Sequence, residues 1–173
     1  MNKRRSFITG IKSTTLSIKE RKFLKKYKPW GVILFSRNIR SIKQSKDLTY
    51  EIRKIFKDNN YPIMIDQEGG RVNRLRTFFN CDPFTSEFFG KLFKKNLKKF
   101  NTYYNVFINQ TSYILKLIGI NINTVPVLDI RRINSHKIIG DRSYSTNKKI
   151  ISKIGDFCIL NFNKNKIGTV IKH

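Results

Sequence analysis

The sequence predicts an α/β fold built from parallel β/α units, and three observations predict it. Short runs rich in β-branched residues alternate with longer segments of helical period along the 173 residues. Two of those runs, Gly31-Val-Ile-Leu-Phe35 and Pro62-Ile-Met-Ile65, are continuously apolar, the pattern of a strand buried on both faces. The polar clusters share one placement: Ser36-Arg37-Asn38, Asp66-Gln67-Glu68, Asp129 and Lys172-His173 each follow an apolar strand. In parallel β/α proteins that edge is where ligands bind.

Residues 7–10 read as the first strand. Ser17 then reads as a helix N-cap, because Glu20 three residues later completes a capping box, and the helix runs to about Lys28 before Pro29. The second strand is 31–35. Between 41 and 57 the apolar Ile42, Leu48, Ile52, Ile55 and Phe56 recur at roughly helical spacing. The third strand is 62–65. Residues 77–90, with Pro83 and mixed aromatics, read as a loop with room for one short helix. Tyr104, Phe107, Tyr113, Ile114 and Ile118 place a helix over 100–118, ended near Gly119. The fourth strand is 123–129, where Pro126 requires a bulge or an unpaired position. A helix over 146–163 and a fifth strand over 168–172 complete the order, with no internal repeat, low-complexity segment or linker.

Lys and Arg number 36 against 11 Asp and Glu, a formal net charge of +25. Such an excess raises the question of nucleic acid or an anionic membrane. The bases are spread along the chain, however, and no basic helix with interleaved aromatics emerges. Lys, Asn, Ile, Phe and Tyr all have codons rich in A and T, and biased base composition accounts for the diffuse pattern. No specific nucleic-acid partner is expected. Cys81 and Cys158 sit in no C-x-x-C pair and near no His, which argues against a disulfide scaffold or a zinc site. The apolar run after Met1-Asn-Lys-Arg-Arg5 is too short for a signal peptide. Residues 113–130 carry Lys116, two Asn, Asp129 and Pro126, so no membrane span is expected there. A cytoplasmic, soluble protein is the expectation.

The densest chemical cluster is Asp66-Gln-Glu-Gly-Gly-Arg-Val-Asn-Arg74. A carboxylate accepts hydrogen bonds from two neighbouring sugar hydroxyls, and an Arg donates to the oxygens beside them. Spacing alone also admits a strand-end salt-bridge knot around a Gly-Gly turn. Arg142, in Ile138-Ile-Gly-Asp-Arg-Ser-Tyr144, reads by itself better as an exposed turn residue, and Lys172-His173 is equally a solvated pair. His136 sits in a polar loop without an obvious partner. No Walker or dinucleotide glycine pattern and no G-x-S-x-G elbow appears, so neither cofactor nor metal is expected.

Taken together, Gly31-Val-Ile-Leu-Phe-Ser-Arg-Asn38, Asp66-Gln-Glu-Gly-Gly-Arg-Val72, Pro126-Val-Leu-Asp129, Ile139-Gly-Asp-Arg-Ser-Tyr144 and Lys172-His173 stand in the order of the family-three β-N-acetylhexosaminidases. The chain resembles that family from about Phe7 to His173, and D-Q-E-G-G-R-V is highly specific to it. The resemblance implies a single partial (β/α)8 barrel domain over residues 1–173, roughly the first five β/α units. It implies retaining hydrolysis of terminal β-linked N-acetylglucosamine, in the cytoplasm of Gram-negative bacteria, from muropeptides recovered from the cell wall. It further implies that Asp66, Arg74, Arg142, Lys172 and His173 hold the N-acetylglucosamine ring, Asp66 by accepting from its hydroxyls and the others by donating.

None of these five roles is catalytic. In the family the Lys-His pair continues as F-P-G-H-G-D, whose His and Asp serve as general acid/base, and the nucleophile is an Asp on a later strand. Retaining hydrolysis needs both groups, and the resemblance places them beyond His173. The chain is therefore expected to be inactive alone. A barrel of about eight strands spans about 250 residues, so five strands leave two open edges and a marginal fold. A non-catalytic sugar-binding relic and, more distantly, a basic nucleic-acid binder are the alternative readings.

Overall fold

The computed structural model describes residues 4–132 and 138–173. Five strands and five helices alternate: β1 (Arg5–Gly10), α1 (Ile18–Tyr27), β2 (Pro29–Leu34), α2 (Ile42–Phe56), β3 (Ile63–Ile65), α3 (Ser86–Lys95), α4 (Leu97–Leu117), β4 (Ile122–Asn123), α5 (Lys148–Lys164) and β5 (Gly168–Thr169). Single 3-10 turns occupy Ser36–Asn38 and Gly140–Arg142.

The helices begin where side chains can satisfy free backbone N–H groups. Ser17 Oγ accepts from Glu20 N at 3.2 Å and Glu20 accepts from Ser17 N at 2.9 Å, the capping box expected from the sequence. The side chains of Ser41, Thr85, Asn96 and Asn147 likewise accept from first-turn N–H groups of α2, α3, α4 and α5, without the reciprocal bond. In α2 the buried positions Ser45, Leu48, Thr49 and Ile52 follow the i, i+3, i+4, i+7 spacing of a helix lying on a core.

All neighbouring strands are parallel, and their spatial order is β1-β2-β3-β4-β5, identical to their order in the chain. A doubly wound sheet reverses direction at a switch point; here none occurs. Right-handed crossovers that always step the same way deposit every helix on one face, as in a (β/α)8 barrel. The register bears this out. Val32 lies opposite Ile63 and Leu34 opposite Ile65, and all four are fully buried in one core with Leu24, Leu48, Ile52, Ile108, Leu115 and Ile154 of the helices. The alternate row, Gly10, Ile33, Met64, Ile122 and Gly168, faces away from that core.

Three boundaries differ from the sequence expectation, each for a local reason. Residues 77–90 were expected as loop with room for one short helix; that helix is present as α3, but it starts at Ser86 and runs past Gly90 to Lys95. Regular pairing of the fourth strand stops after Asn123, because Val125 N turns back to Asn123 O at 2.9 Å and Pro126 has no N–H to give. Pairing resumes beyond it. Lys172 N donates to Pro126 O at 3.2 Å and Leu128 N to Lys172 O at 2.8 Å, so the interruption expected at Pro126 is present and the strand recovers. The fifth strand shows the same break, with β5 itself ending at Thr169. Both cysteines are buried as small apolar residues, and burial pushes their thiols up, Cys81 to about 11 and Cys158 to about 12. Among the described residues no helix is long and apolar enough to cross a membrane.

Candidate active site

Strand alternation continues past the ends of β3 and β4 and decides which side chains meet. Asp66, two residues after Met64, and Thr124, two after Ile122, project on the side away from the helices, where Thr124 Oγ1 donates to Asp66 Oδ1. Gln67 and Asn123 take the other side. There Asn123 accepts from Gln67 N and donates to Gln67 O, both at 2.9 Å, clamping the two strand ends together.

Lys172 arrives from beyond β5 and places Nζ 2.8 Å from Asp66 Oδ1, 3.1 Å from Thr124 Oγ1 and 2.6 Å from Glu68 Oε1. Glu68 also receives Arg142 at two points, Nε to Oε2 at 2.8 Å and the terminal nitrogen to Oε1 at 2.9 Å. Arg74 reaches Asp66 Oδ2 at 3.6 Å and stacks its guanidinium over Phe35, 5.7 Å from the ring centre. Asp129 Oδ2 lies 2.8 Å from His173 Nδ1, and a carboxylate there favours the tautomer with the proton on Nδ1.

The five residues singled out from the sequence thus converge on one end of the sheet. Four ion-pair with the Asp66–Glu68 segment or within it, and His173 joins through Asp129. The salt-bridge knot that spacing also admitted is present as well, with Lys172 shared between Asp66 and Glu68. Glu68, Thr124 and Asp129 were not selected as site residues. Alternation from Met64 and Ile122 was the signal that could have found Thr124. His136 lies outside the described residues.

The turn carrying Arg142 is itself built in. Ser143 Oγ donates to Asp129 O at 2.6 Å, and Tyr144 OH meets Tyr104 OH of α4 at 2.7 Å in the aromatic core. Arg71 bridges the Gly69-Gly70 turn to the same loop, with Nε 3.0 Å from Asp141 Oδ1. Gly69 and Gly70 adopt φ of 91° and 56°, and a Cβ on Gly69 would stand 2.3 Å from Phe84 O, so only glycine fits this turn.

Burial works to raise the Asp66 carboxyl pKa, but hydrogen bonds from Lys172 and Thr124 and the charges of Lys172 and Arg74 outweigh it, and the net shift is downward. The Glu68 hydrogen bonds hold the Arg142 guanidinium above its ordinary value despite burial. Asp66 is therefore a permanent anion near neutral pH: an acceptor for hydroxyl groups and a poor proton donor. A folded-state pKa below the unfolded one means stability present above the unfolded value of about 3.9, and lost as pH falls through the folded value. Asp66→Asn is accordingly expected to flatten the acid limb of a stability curve followed by urea denaturation from about pH 5 downward. Identical acid limbs for the two proteins would contradict the ion pairing.

A larger concavity of about 800 Å³ lies at the opposite end of the strands, between Arg4, Lys25, Lys28, Trp30 and Lys57. Lys28 and Lys57 are the C-caps of α1 and α2, and Lys25 sits in the last turn of α1. Cations there offset the negative ends of the helix dipoles, which is a structural duty. The bottom of a β/α barrel carries stability and its top carries chemistry.

Parallel β/α units wound in one direction, with a carboxylate–cation cluster at the C-terminal strand ends, define part of a (β/α)8 barrel, a class in which that edge carries the ligand sites. The glycosyl hydrolase family 3 N-terminal domain matches residues 8–173, and the chain belongs to this family. It is 32% identical over 170 residues, 96% of its length, to a β-hexosaminidase of Hydrogenovibrio crunogenus, covering 46% of that protein. Native NagZ from Neisseria gonorrhoeae superposes with a TM-score of 0.87 at 26% identity, over 98% of this chain and 49% of that one. The same enzyme in complex with N-trifluoroacetyl-D-glucosamine gives 0.88. The chain spans about half the length of the curated relatives it matches.

Proposed function

We propose that residues 1–173 form the N-acetylglucosamine-holding part of a β-N-acetylhexosaminidase. The whole enzyme would hydrolyse terminal non-reducing β-linked N-acetylglucosamine from peptidoglycan-derived muropeptides during cell-wall recycling in the cytoplasm. The observation that carries this reading is the Asp66 carboxylate, kept ionised at the C-terminal sheet edge with Arg74 and Lys172 beside it. An anion flanked by planar and point-like donors suits a ring of vicinal hydroxyls, each of which both donates and accepts. The family membership and the likeness to a NagZ that binds a glucosamine derivative support the same sugar.

The carboxylates at this edge suit binding and not bond cleavage. A glycosidase acid needs a raised pKa, whereas that of Asp66 is lowered and Glu68 is committed to two cations. The nucleophile and acid/base are accordingly assigned outside these residues. Calorimetric titration with N-acetylglucosamine, paired with an assay on p-nitrophenyl N-acetyl-β-glucosaminide, tests both halves of the proposal. About 15 ligand atoms at roughly 0.3 kcal/mol each give a Kd on the order of 1 mM. Saturable binding without nitrophenol release is the expected result. Turnover by this chain would overturn the division of labour, and absence of binding would overturn the sugar assignment. Affinity for polyanions that collapses with added salt, with no sugar binding, would favour the charge-driven alternative.

A further inference from the structure

We propose that Glu68 is the positioning residue of this site: it holds Arg142 and Lys172 in place for the ligand without touching the ligand itself. The proposal rests on the sugar-binding reading for its functional consequence, although the ordering of the two cations stands apart from it.

The geometry carries the inference. The Glu68 side chain is only 3% exposed, against 17% for Asp66, so it is withdrawn from the surface a ligand would reach. Its two oxygens are already engaged by three donors, two from Arg142 and one from Lys172. Oε1 is shared by both cations, which fixes them relative to each other. Glu68 is itself held by the Gly-Gly turn, with its N–H on Val72 O at 3.1 Å. One carboxylate therefore joins the end of β3, the Arg142 turn and the segment after β5, positions far apart in the chain.

Charge arithmetic argues for order as its role. Arg142 and Lys172 would repel each other without Glu68, and Asp66 is already engaged by Lys172, Thr124 and Arg74. Long cationic side chains lose considerable rotamer freedom when fixed. If Glu68 meets that cost in advance, the ligand need not. Stability is a weaker explanation, because buried ion pairs contribute little to it compared with apolar packing.

The test uses the chain labelled with ¹⁵N-arginine, with the Arg142 Nε–H resonance assigned by its loss in Arg142→Lys. Wild type, Glu68→Gln and Glu68→Asp are compared for that resonance and for N-acetylglucosamine affinity. Glu68→Asp keeps the charge on a shorter arm and serves if Glu68→Gln does not fold. In wild type the resonance should exchange slowly with water. In the folded variants it should broaden into solvent exchange, with affinity reduced roughly 10- to 100-fold in Glu68→Gln and less in Glu68→Asp. A resonance as protected as in wild type, or affinity unchanged despite a broadened one, would overturn the proposal. If the wild type binds no sugar at all, the sugar assignment fails separately, and the Arg142 resonance still decides whether Glu68 orders the pair.

Discussion

Asp66→Ala is expected to lower the affinity for N-acetylglucosamine by more than about 100-fold, the largest functional effect of any single change in the site. The carboxylate lies partly open at the sheet edge, unlike the withdrawn Glu68, and each hydroxyl-to-carboxylate bond is worth about 1.5–3 kcal/mol. Its removal does more than delete acceptors. Lys172 would retain only Glu68 as an ionic partner, and Arg74 would lose its single salt bridge among the described residues. Asp66→Asn keeps the shape and one acceptor, so its loss should be smaller. Calorimetry on both variants, with near-ultraviolet circular dichroism to verify folding, checks this order. Equal and small losses for both would place the ligand elsewhere.

Gly90→Ala should produce the largest loss of stability. Gly90 lies within α3, where a glycine costs about 1 kcal/mol relative to alanine, so something must require it. A Cβ built there would sit 1.7 Å from Tyr144 O and 2.6 Å from its carbonyl carbon. Both obstacles are backbone, and they cannot swing aside as the tip of a long side chain could. Tyr144 is moreover anchored through its hydroxyl to Tyr104. Overpacking of this kind costs about 3 kcal/mol or more, which for a domain of this size lowers Tm by roughly 6–12 °C. Tyr144 is two residues from Arg142, so the variant should also weaken sugar binding. A thermal melt within about 2 °C of wild type would show that α3 and the Arg142 turn are not in such close contact.

The same glycine explains what the sequence concealed. Helical periodicity over residues 86–95 was masked by Gly90, which propensity reads as a break and tertiary packing requires. By contrast, α1 was legible to its first residue, because Ser17 and Glu20 form a local device that depends on nothing distant. The doubly buried strands were legible because Val32, Leu34, Ile63 and Ile65 leave no polar face to misplace. The fourth strand was legible in place and not in length, since only the structure shows Val125 N turned back onto Asn123 O and pairing resumed with Lys172.

For the site, position after a strand gathered Asp66, Lys172 and His173 at one edge, whereas Arg74 and Arg142 entered through the resemblance. The resemblance supplied the choice among them. What it left out was the support beneath. Glu68 read as a neighbour of Asp66 in the same motif, yet at the Gly-Gly turn it is withdrawn from the surface and paired with Arg142. That division between an open carboxylate and a buried one depends on backbone geometry no spacing rule contains.

The most direct test of the central claim is a crystal of this chain soaked with N-acetylglucosamine. Density for the ring is predicted at the C-terminal edge of the sheet, with two adjacent hydroxyls about 3 Å from the Asp66 carboxylate and donors from Arg74, Lys172 or His173 on the neighbouring oxygens. Ring density at the Trp30 end of the strands, or anywhere that leaves Asp66 without a sugar contact, would contradict it.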